Sequence, residues 1–277
     1  GGNLFNAQSL SNVTIEGNGA ELAMRAADYT TNPATRPCVR FWSCDHLLID
    51  NVHIVNAGGA GIALGQGGHP TNAYVTIQNC DISGADRNGI SVLTADHLTI
   101  TGCTLDSNGP HAPAAGIDIE PDAANRILTN IAVNNNTFIN NNGAQIILSL
   151  GSLLSTSPAV SISFDNDICS DSVPGGFSNE NSGICVWNVH PGVGGSITFT
   201  NMTINVPDGT DSIDILNKAA TGTLLNFGTS TGTVGATIDA QGSTYPIYLD
   251  SSDNADYGPF GGINFYNITF ASSFAGS

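Results

Sequence analysis

Basic residues are scarce in this sequence: its 277 residues include six Lys and Arg against 23 Asp and Glu, which gives a formal net charge of −17. Because contacts to phosphate need cationic side chains, this composition argues against binding to nucleic acid or to anionic membrane surfaces. Long apolar runs are also missing, and none approaches the roughly 18 residues that a membrane-spanning helix requires. The chain opens on Gly1-Gly2-Asn3 with no signal-peptide pattern, which predicts a mature or excised chain.

Blocks of Leu, Ala, Glu and Lys at helical spacing are absent as well. In their place stand 33 Gly and many Asn, Ser and Thr, with 40% apolar and only 10% charged residues. This composition is typical of many short strands joined by turns, and it favours an extracellular or virion-surface setting. The cysteines leave two arrangements open. Cys38 and Cys44 are close enough to bridge, whereas Cys80 and Cys103 occupy equivalent repeat positions that predict stacked core thiols.

An internal repeat of irregular length runs through the chain. Each copy reads apolar, polar, Asn or Gly, small or apolar, polar, apolar. The Asn or Gly position predicts a sharp bend between two strands, because these residues adopt the left-handed backbone conformation at the lowest cost. The clearest copies are residues 48–54, 76–82, 99–105, 132–138, 198–204 and 264–270.

A second signal, a short Gly-Ile strand, alternates with the first. Each unit therefore contains at least two short strands separated by turns, and such units bury a core only by stacking on one another. The sequence predicts a single all-β domain over residues 1–277, a parallel β-helix of roughly nine to ten coils at about 4.8 Å per coil. The copies of the second signal are residues 61–64, 89–92, 116–119, 183–186 and 212–215.

This repeat resembles the right-handed single-stranded parallel β-helix of the pectate-lyase-like superfamily, which includes polysaccharide lyases, glycoside hydrolases, mannuronan C5-epimerases and phage tailspikes. The resemblance covers essentially the whole chain. It implies a polysaccharide partner bound along the side of a rod, and a homotrimer if the chain belongs to a tailspike. Such rods usually have a capping helix at the N-terminus, and residues 1–10 lack a helical pattern. We therefore expect that the chain is a piece of a longer protein or that a partner covers its ends.

The stretch 115–121, Ala-Gly-Ile-Asp-Ile-Glu-Pro, carries the strongest chemical signal. Successive side chains of a strand point to opposite faces, so Asp118 and Glu120 share the face opposite Ile117 and Ile119. Two carboxylates on one strand face repel each other, which is a costly surface pattern unless they have a function. The longest insertions, residues 107–115, 150–158 and 171–182, are predicted to border this face.

The superfamily resemblance extends to a strand motif of the epimerases and lyases, Tyr-Gly-Phe-Asp-Pro-His. Its Asp falls on Asp118, whereas its His position holds Glu120 and its Tyr position holds Ala115. Two mechanisms are therefore predicted. In the first, Asp118 and Glu120 act as the acid/base pair of a hydrolase that needs no cofactor. In the second, that of a uronate lyase or C5-epimerase, they bind Ca²⁺ with Asp122, and His111 or Arg87 abstracts a proton.

The remaining candidates would hold the polysaccharide. Trp187 and Trp42 are predicted to project from the same face and to stack on sugar rings. Arg87 and Arg126 would either pair with the acids or bind an anionic sugar. Gln145 and Asp214 occupy outward positions in later coils. An alternative hypothesis is that the protein is not an enzyme but a non-catalytic glycan-binding rod of a tailspike or adhesin. These residues are also consistent with that function.

Overall fold

The computed structural model describes residues 2–25, 28, 36–171, 182–206, 210–240, 245–251 and 255–271. Within these ranges the chain forms short strands and no α-helix, and Ala255–Tyr257 form a 3₁₀ turn. Successive coils stack through parallel strand pairs into a nine-stranded sheet, called here the first sheet, and a 16-stranded sheet, whose two arms are called here the second and third sheets. The predicted all-β parallel β-helix is therefore confirmed. In the described part of the chain, no helix has the length and apolar character needed to cross a membrane.

The first sheet receives one strand from each coil, and it carries the candidate site. Most of its strands have only three or four residues, and three of them directly follow the Gly of a Gly-Ile unit, at Gly61, Gly89 and Gly116. In order along the rod they are Phe5–Gln8, Val39–Trp42, Ile62–Leu64, Ile90–Val92, Ile117–Ile119, Ile146–Ser149, Ser182–Val189, Asp211–Lys218 and Ile247–Asp250.

The second and third sheets are built from the other repeat signal. Near the N-terminus, Ser11–Ala23 and Asp45–Val55 each run through both sheets as one bent strand. The later strands of the second sheet are Asn72–Gln78, Ala95–Thr101, Leu128–Asn134, Val160–Asp165, Gly195–Thr200, Leu224–Phe227 and Ile263–Phe265. Those of the third are Asp81–Ser83, Thr104–Asp106, Thr137–Ile139, Ile168–Ser170, Met202–Val206, Ala236–Ala240 and Thr269–Phe270. Within the described ranges seven coils thus have three separate strands, slightly fewer than the nine to ten predicted coils.

The bend between the second and third sheets lies at the predicted Asn or Gly position. Seven residues at this bend have φ between 51° and 65°, the left-handed conformation that Asn and Gly tolerate. This confirms the physical reason given for the repeat. The seven are Asn51, Asn79, Gly102, Asn135, Asn166, Asn201 and Asn267.

The core is a continuous stack of apolar side chains from all three sheets. Phe199 shows the stacking, with ring centroids 4.8 Å from those of both Phe164 and Phe227. All six cysteines are buried and unbridged. The disulfide alternative for Cys38 and Cys44 is therefore wrong, and the stacked core thiols predicted at Cys80 and Cys103 are confirmed by their burial.

Buried polar side chains satisfy the backbone at two of the turns. In one turn, Asn108 Oδ1 accepts from the backbone N–H of Ala85 at 3.0 Å, and Asn108 Nδ2 donates to Asn141 Oδ1 at 2.8 Å. In another, Asp167 Oδ1 accepts from Asn136 N at 2.8 Å and from Asn136 Nδ2 at 2.9 Å. Burial raises the pKa of the Asp167 carboxyl to about 7, because a charged group inside the rod loses its hydration.

Candidate active site

The outer face of the first sheet is formed by the middle residue of each short strand. Strand register places Ser91, Asp118, Ile147, Cys185 and Asp214 in one column, meaning equivalent positions in successive coils. The column faces away from the main core. Its members Ile147 and Cys185 belong to a separate small apolar cluster, and Trp187 packs against that cluster from outside.

Asp118 and Glu120 lie in one cleft on this face. Asp118, in the middle of the strand Ile117–Ile119, is only 3% exposed. Glu120 follows the strand and is exposed, with its backbone N–H donating to the carbonyl of Val92 at 3.0 Å. The period-2 alternation of the strand thus places the two carboxyl groups beside the same space, one buried and one open to solvent.

Two clefts meet at this pair. The larger has a volume of about 540 Å³ and the smaller about 200 Å³, and both are lined by Arg87, Asp118 and Glu120. The larger extends toward the N-terminal coils and the smaller toward the C-terminal coils. Further lining residues are Arg40, Gln66, Ser91, Asp122 and Ser152 in the larger cleft, and Ala112, Pro113, Ile147, Ser149 and Trp187 in the smaller.

The insertions expected to border the site do so in part. Ala112 and Pro113 bring the insertion at 107–115 into the smaller cleft, and Ser152 brings the one at 150–158 into the larger. Most of the third insertion, residues 172–181, lies outside the described residues. Loops from neighbouring coils therefore form the walls around the carboxyl pair.

Arg87 reaches both clefts, whereas His111 stands beside them. Arg87 Nε donates to the carbonyl of Ala112 at 2.7 Å, which anchors the guanidinium at the wall of the smaller cleft. His111 Nδ1 lies 3.0 Å from Asp86 Oδ2, and the imidazole is largely exposed. His111 does not line either cleft, so its predicted part in proton abstraction stays a prediction.

Arg126 is engaged inside the protein. It is 5% exposed, forms an ion pair with Asp122, and donates to the carbonyls of His69 at 2.7 Å and Gln66 at 3.3 Å. These bonds tie the loop of one coil to a loop two coils away. Arg126 therefore stabilises a loop that forms part of the wall of the larger cleft. Its role in substrate binding stays a prediction.

The residues proposed to hold Ca²⁺ do not form a cage. Within the described ranges, no three His, Cys, Asp or Glu side chains are arranged to hold a metal ion. Asp122 forms an ion pair with Arg126. The remaining carboxyl groups, those of Asp118 and Glu120, supply too few oxygens for Ca²⁺, which takes six to eight oxygen ligands. The calcium site stays a prediction without support from this geometry.

Gln145 and Trp42 do not line either cleft. Gln145 was expected to project outward, and this orientation is wrong: its side chain is fully buried and accepts a hydrogen bond from Asn141. The strand alternation does not extend to this position, because a Cβ at the equivalent Gly116 would point inward, 2.7 Å from the ring of Phe138. Trp42 is also buried and has its ring 5.9 Å from that of His69.

Asp214 occupies the column of Asp118 three coils further along. Burial, reinforced by the neighbouring Asp211, raises the pKa of the Asp214 carboxyl to about 7, because both effects disfavour the charged form. Asp214 is not among the residues that line the two clefts. Its predicted contact with substrate therefore applies only to a polymer that extends beyond the site.

A family model described as "Right handed beta helix region" matches residues 3–188, more than half of the chain. The chain belongs to the right-handed beta helix family. The right-handed β-helix that the superfamily resemblance implies is thereby confirmed.

Two individual proteins are similar to this β-helix protein. One is an "Uncharacterized protein YclG" of Bacillus subtilis (strain 168), 31% identical over 111 residues, which are 35% of this chain and 19% of that protein. The other is the solved structure of a tailspike protein gp49 from Acinetobacter baumannii bacteriophage Fri1, a capsular polysaccharide depolymerase. It is 14% identical, with a TM-score of 0.44, over 95% of this chain and 43% of the other. The β-helix protein thus spans less than half the length of each.

Sequence reasoning missed one residue at the site of this β-helix protein, Asn88. Its side chain is fully buried. Asn88 Nδ2 donates to Asp118 Oδ2 and to Ser91 Oγ, both at 2.9 Å, and Asn88 Oδ1 accepts from the backbone N–H of Ala115 at 3.0 Å. The only signal for it is its place just before a Gly-Ile strand, one coil ahead of the carboxylates.

Proposed function

We propose that this β-helix protein is a carbohydrate-active enzyme that cleaves a polysaccharide on the side of the rod, with Asp118 and Glu120 as its acid/base pair. One observation carries the proposal: the two carboxyl groups stand where two clefts meet on the outer face of the first sheet. A polymer lying across both clefts passes over the pair.

The spacing of the pair suits hydrolysis. Residues two apart on a strand have roots about 6.5–7 Å apart, and the carboxyl groups of inverting glycosidases are roughly 6.5–9.5 Å apart, which leaves room for a water molecule. One carboxylic acid gives its proton to the leaving glycosidic oxygen. The other, as a carboxylate, takes a proton from the water that attacks the anomeric carbon. The sum is the addition of water across one glycosidic bond.

The length of the two clefts supports cleavage inside a chain rather than at its end. The lining residues run from Arg40 in the second coil to Trp187 in the seventh. Five coil steps at about 4.8 Å span about 24 Å, and the carboxyl pair lies between the two ends. We infer that the products are oligosaccharides of several sizes.

A second candidate reaction is eliminative cleavage of a uronate-containing polysaccharide. It is favoured by the two arginines of the larger cleft, Arg40 and Arg87, which are two of the six basic residues in the whole sequence. Guanidinium groups bind carboxylates with well-defined geometry. For either reaction we infer an extracellular or virion-surface setting, in line with the acidic and Asn-rich composition, and the trimer of a tailspike remains a proposal.

The test is a panel of polysaccharides, followed by new reducing ends and by the ultraviolet absorbance of unsaturated uronates. Hydrolysis gives reducing ends alone, and elimination gives both signals. Asp118→Asn and Glu120→Gln should each lower turnover at least a hundredfold while the far-UV spectrum is retained. Asp81→Asn, an exposed carboxylate on the third sheet, is the control and should remain active. Full activity in the double Asp118→Asn, Glu120→Gln variant would reject the pair.

If no polysaccharide is cleaved but one is bound, the non-catalytic rod is the better account. Binding is then measured by co-sedimentation or calorimetry with the same panel. In that case Trp187 and Arg87 should still govern affinity, whereas the two carboxyl groups should not.

A further inference from the structure

We propose that Asn88 is a positioning residue for the reaction, which orients Asp118 and favours its charged form. The inference rests on the proposed function, because it assigns a role to the neighbour of a proposed catalytic group. It concerns a residue in the preceding coil that does not line either cleft.

The orientation of the Asn88 amide is fixed by its surroundings. The backbone N–H of Ala115 can only donate, so the Asn88 atom 3.0 Å from it must be the carbonyl oxygen Oδ1. The amide nitrogen Nδ2 must then face Asp118 Oδ2 and Ser91 Oγ, each 2.9 Å away. Because the Ala115 N–H binds the amide oxygen, Asn88 presents its N–H donor to Asp118.

The hydrogen bond from Asn88 has a consequence for the charge of Asp118. A hydrogen bond donated to a carboxyl group favours the carboxylate over the neutral acid, and here it counters the burial of a group that is 3% exposed. The charged side chains that line the larger cleft with Asp118 are Arg40, Arg87, Glu120 and Asp122.

Glu120 is held differently. Within the described part of the chain its backbone bonds to Val92, whereas no side-chain hydrogen bond to its carboxyl group is found. Glu120 is also exposed, so its carboxyl group can follow a moving leaving group. Asn88 therefore holds the carboxyl group of Asp118 in one orientation, whereas the carboxyl group of Glu120 can change its orientation.

The decisive variant is Asn88→Asp. It keeps an oxygen for the Ala115 N–H and nearly the same shape, but it replaces the donor to Asp118 by a second carboxyl oxygen. The matched control is Asn108→Asp, since Asn108 is also fully buried and also accepts a backbone N–H, that of Ala85. Asn108 does not line either cleft.

Two readouts separate positioning from a structural role. In carboxyl-carbon NMR, which needs no substrate, the Asp118 titration should move to higher pH by about one unit or more in Asn88→Asp, because like charges oppose each other. On the polysaccharide cleaved fastest by the native protein, kcat should fall tenfold or more with KM within twofold. The limb of the pH–rate profile that reports Asp118 should move the same way.

The control should lose thermal stability to a similar extent while kcat, the pH profile and the Asp118 titration stay as in the native protein. If Asn88→Asp behaves like Asn108→Asp in all three, Asn88 is merely structural and the inference is overturned. A different outcome is that the Asp118 titration shifts in Asn88→Asp while the Asp118→Asn variant remains active. This result would overturn the proposed function but not the contact between Asn88 and Asp118.

If Asn88→Asp does not fold, the native protein supplies the test. The side-chain amide signal of Asn88 in ¹⁵N-labelled protein should follow the titration of Asp118. An Asn88 amide signal that does not respond to that titration would overturn the inference.

Discussion

Glu120 and Trp187 line the same small cleft from positions two coils apart. Ser149 pairs with Trp187, and Glu120 takes the position next to Ser149 when the register of Ile119 with Leu148 is continued by one residue. The backbone of Trp187 is therefore about 9.6 Å, or two coil steps, along the rod from that of Glu120. This relationship makes Trp187 the residue best placed to hold the polymer beside the pair.

We expect Trp187→Ala to weaken polysaccharide binding at least tenfold, because Trp187 is the one aromatic side chain among the described residues that line the smaller cleft. The melting temperature should fall by only a few degrees, since Trp187 is half-buried and packs on a small outer cluster rather than on the main core. Isothermal calorimetry and thermal melts measure the two effects.

Phe199→Ala is the matched aromatic control. Phe199 lies in the core between Phe164 and Phe227, so this change should cost about 3–5 kcal/mol of unfolding free energy and leave the affinity of the folded protein unchanged. A Trp187→Ala variant that is as unstable as Phe199→Ala but binds normally would contradict the assignment.

Arg126→Gln should lower stability and raise KM with little change in kcat. It removes the bonds to the carbonyls of His69 and Gln66, at a cost of about 1–3 kcal/mol for the unsatisfied buried groups. The loop that forms one wall of the larger cleft is then no longer held. Arg25→Gln is the control, because Arg25 is exposed and pairs only with Asp28 among the described residues. A raised KM in an Arg126→Gln variant of native stability would contradict the structural role and favour direct binding of substrate.

Asp167→Asn should stabilise the rod at alkaline pH. The folded protein binds the Asp167 proton more tightly than the unfolded chain, with a pKa of about 7 against 3.8. Between these values the folded state holds a proton that the unfolded state has lost, so stability falls as pH rises from about 4 to about 7. Above that range the native protein carries the full penalty of a buried charge.

The Asn side chain removes this penalty and can extend the polar ladder of Asn136. At pH 8 we expect a gain of about 1 kcal/mol or more, roughly 2–4 °C in Tm for each kcal/mol. At pH 4 the difference should nearly vanish. Thermal melts across this range provide the measurement. Asp81→Asn, at an exposed position, should show no comparable pH dependence, and an equal effect there would contradict the explanation.

The fold could be predicted from the sequence because each coil repeats the same local rules. The Asn51 and Asn79 positions require a left-handed backbone, the Gly-Ile units alternate with them, and stacking is the only way for such units to bury their apolar sides. The joint position of Asp118 and Glu120 follows from the period of a single strand. These are local properties, so the sequence alone determined them.

The surroundings of the pair were decided by contacts between coils. Asn88 meets Asp118, and Arg126 meets the loop at His69, only because loops of unequal length from different coils lie side by side. Gln145 turns inward because the position that starts its strand faces the core, which the alternation within one strand does not reveal. The sequence by itself determined the rod and which strand carries the two carboxylates. Only the tertiary structure decided which neighbours hold them, since those neighbours are close in space and far apart along the chain.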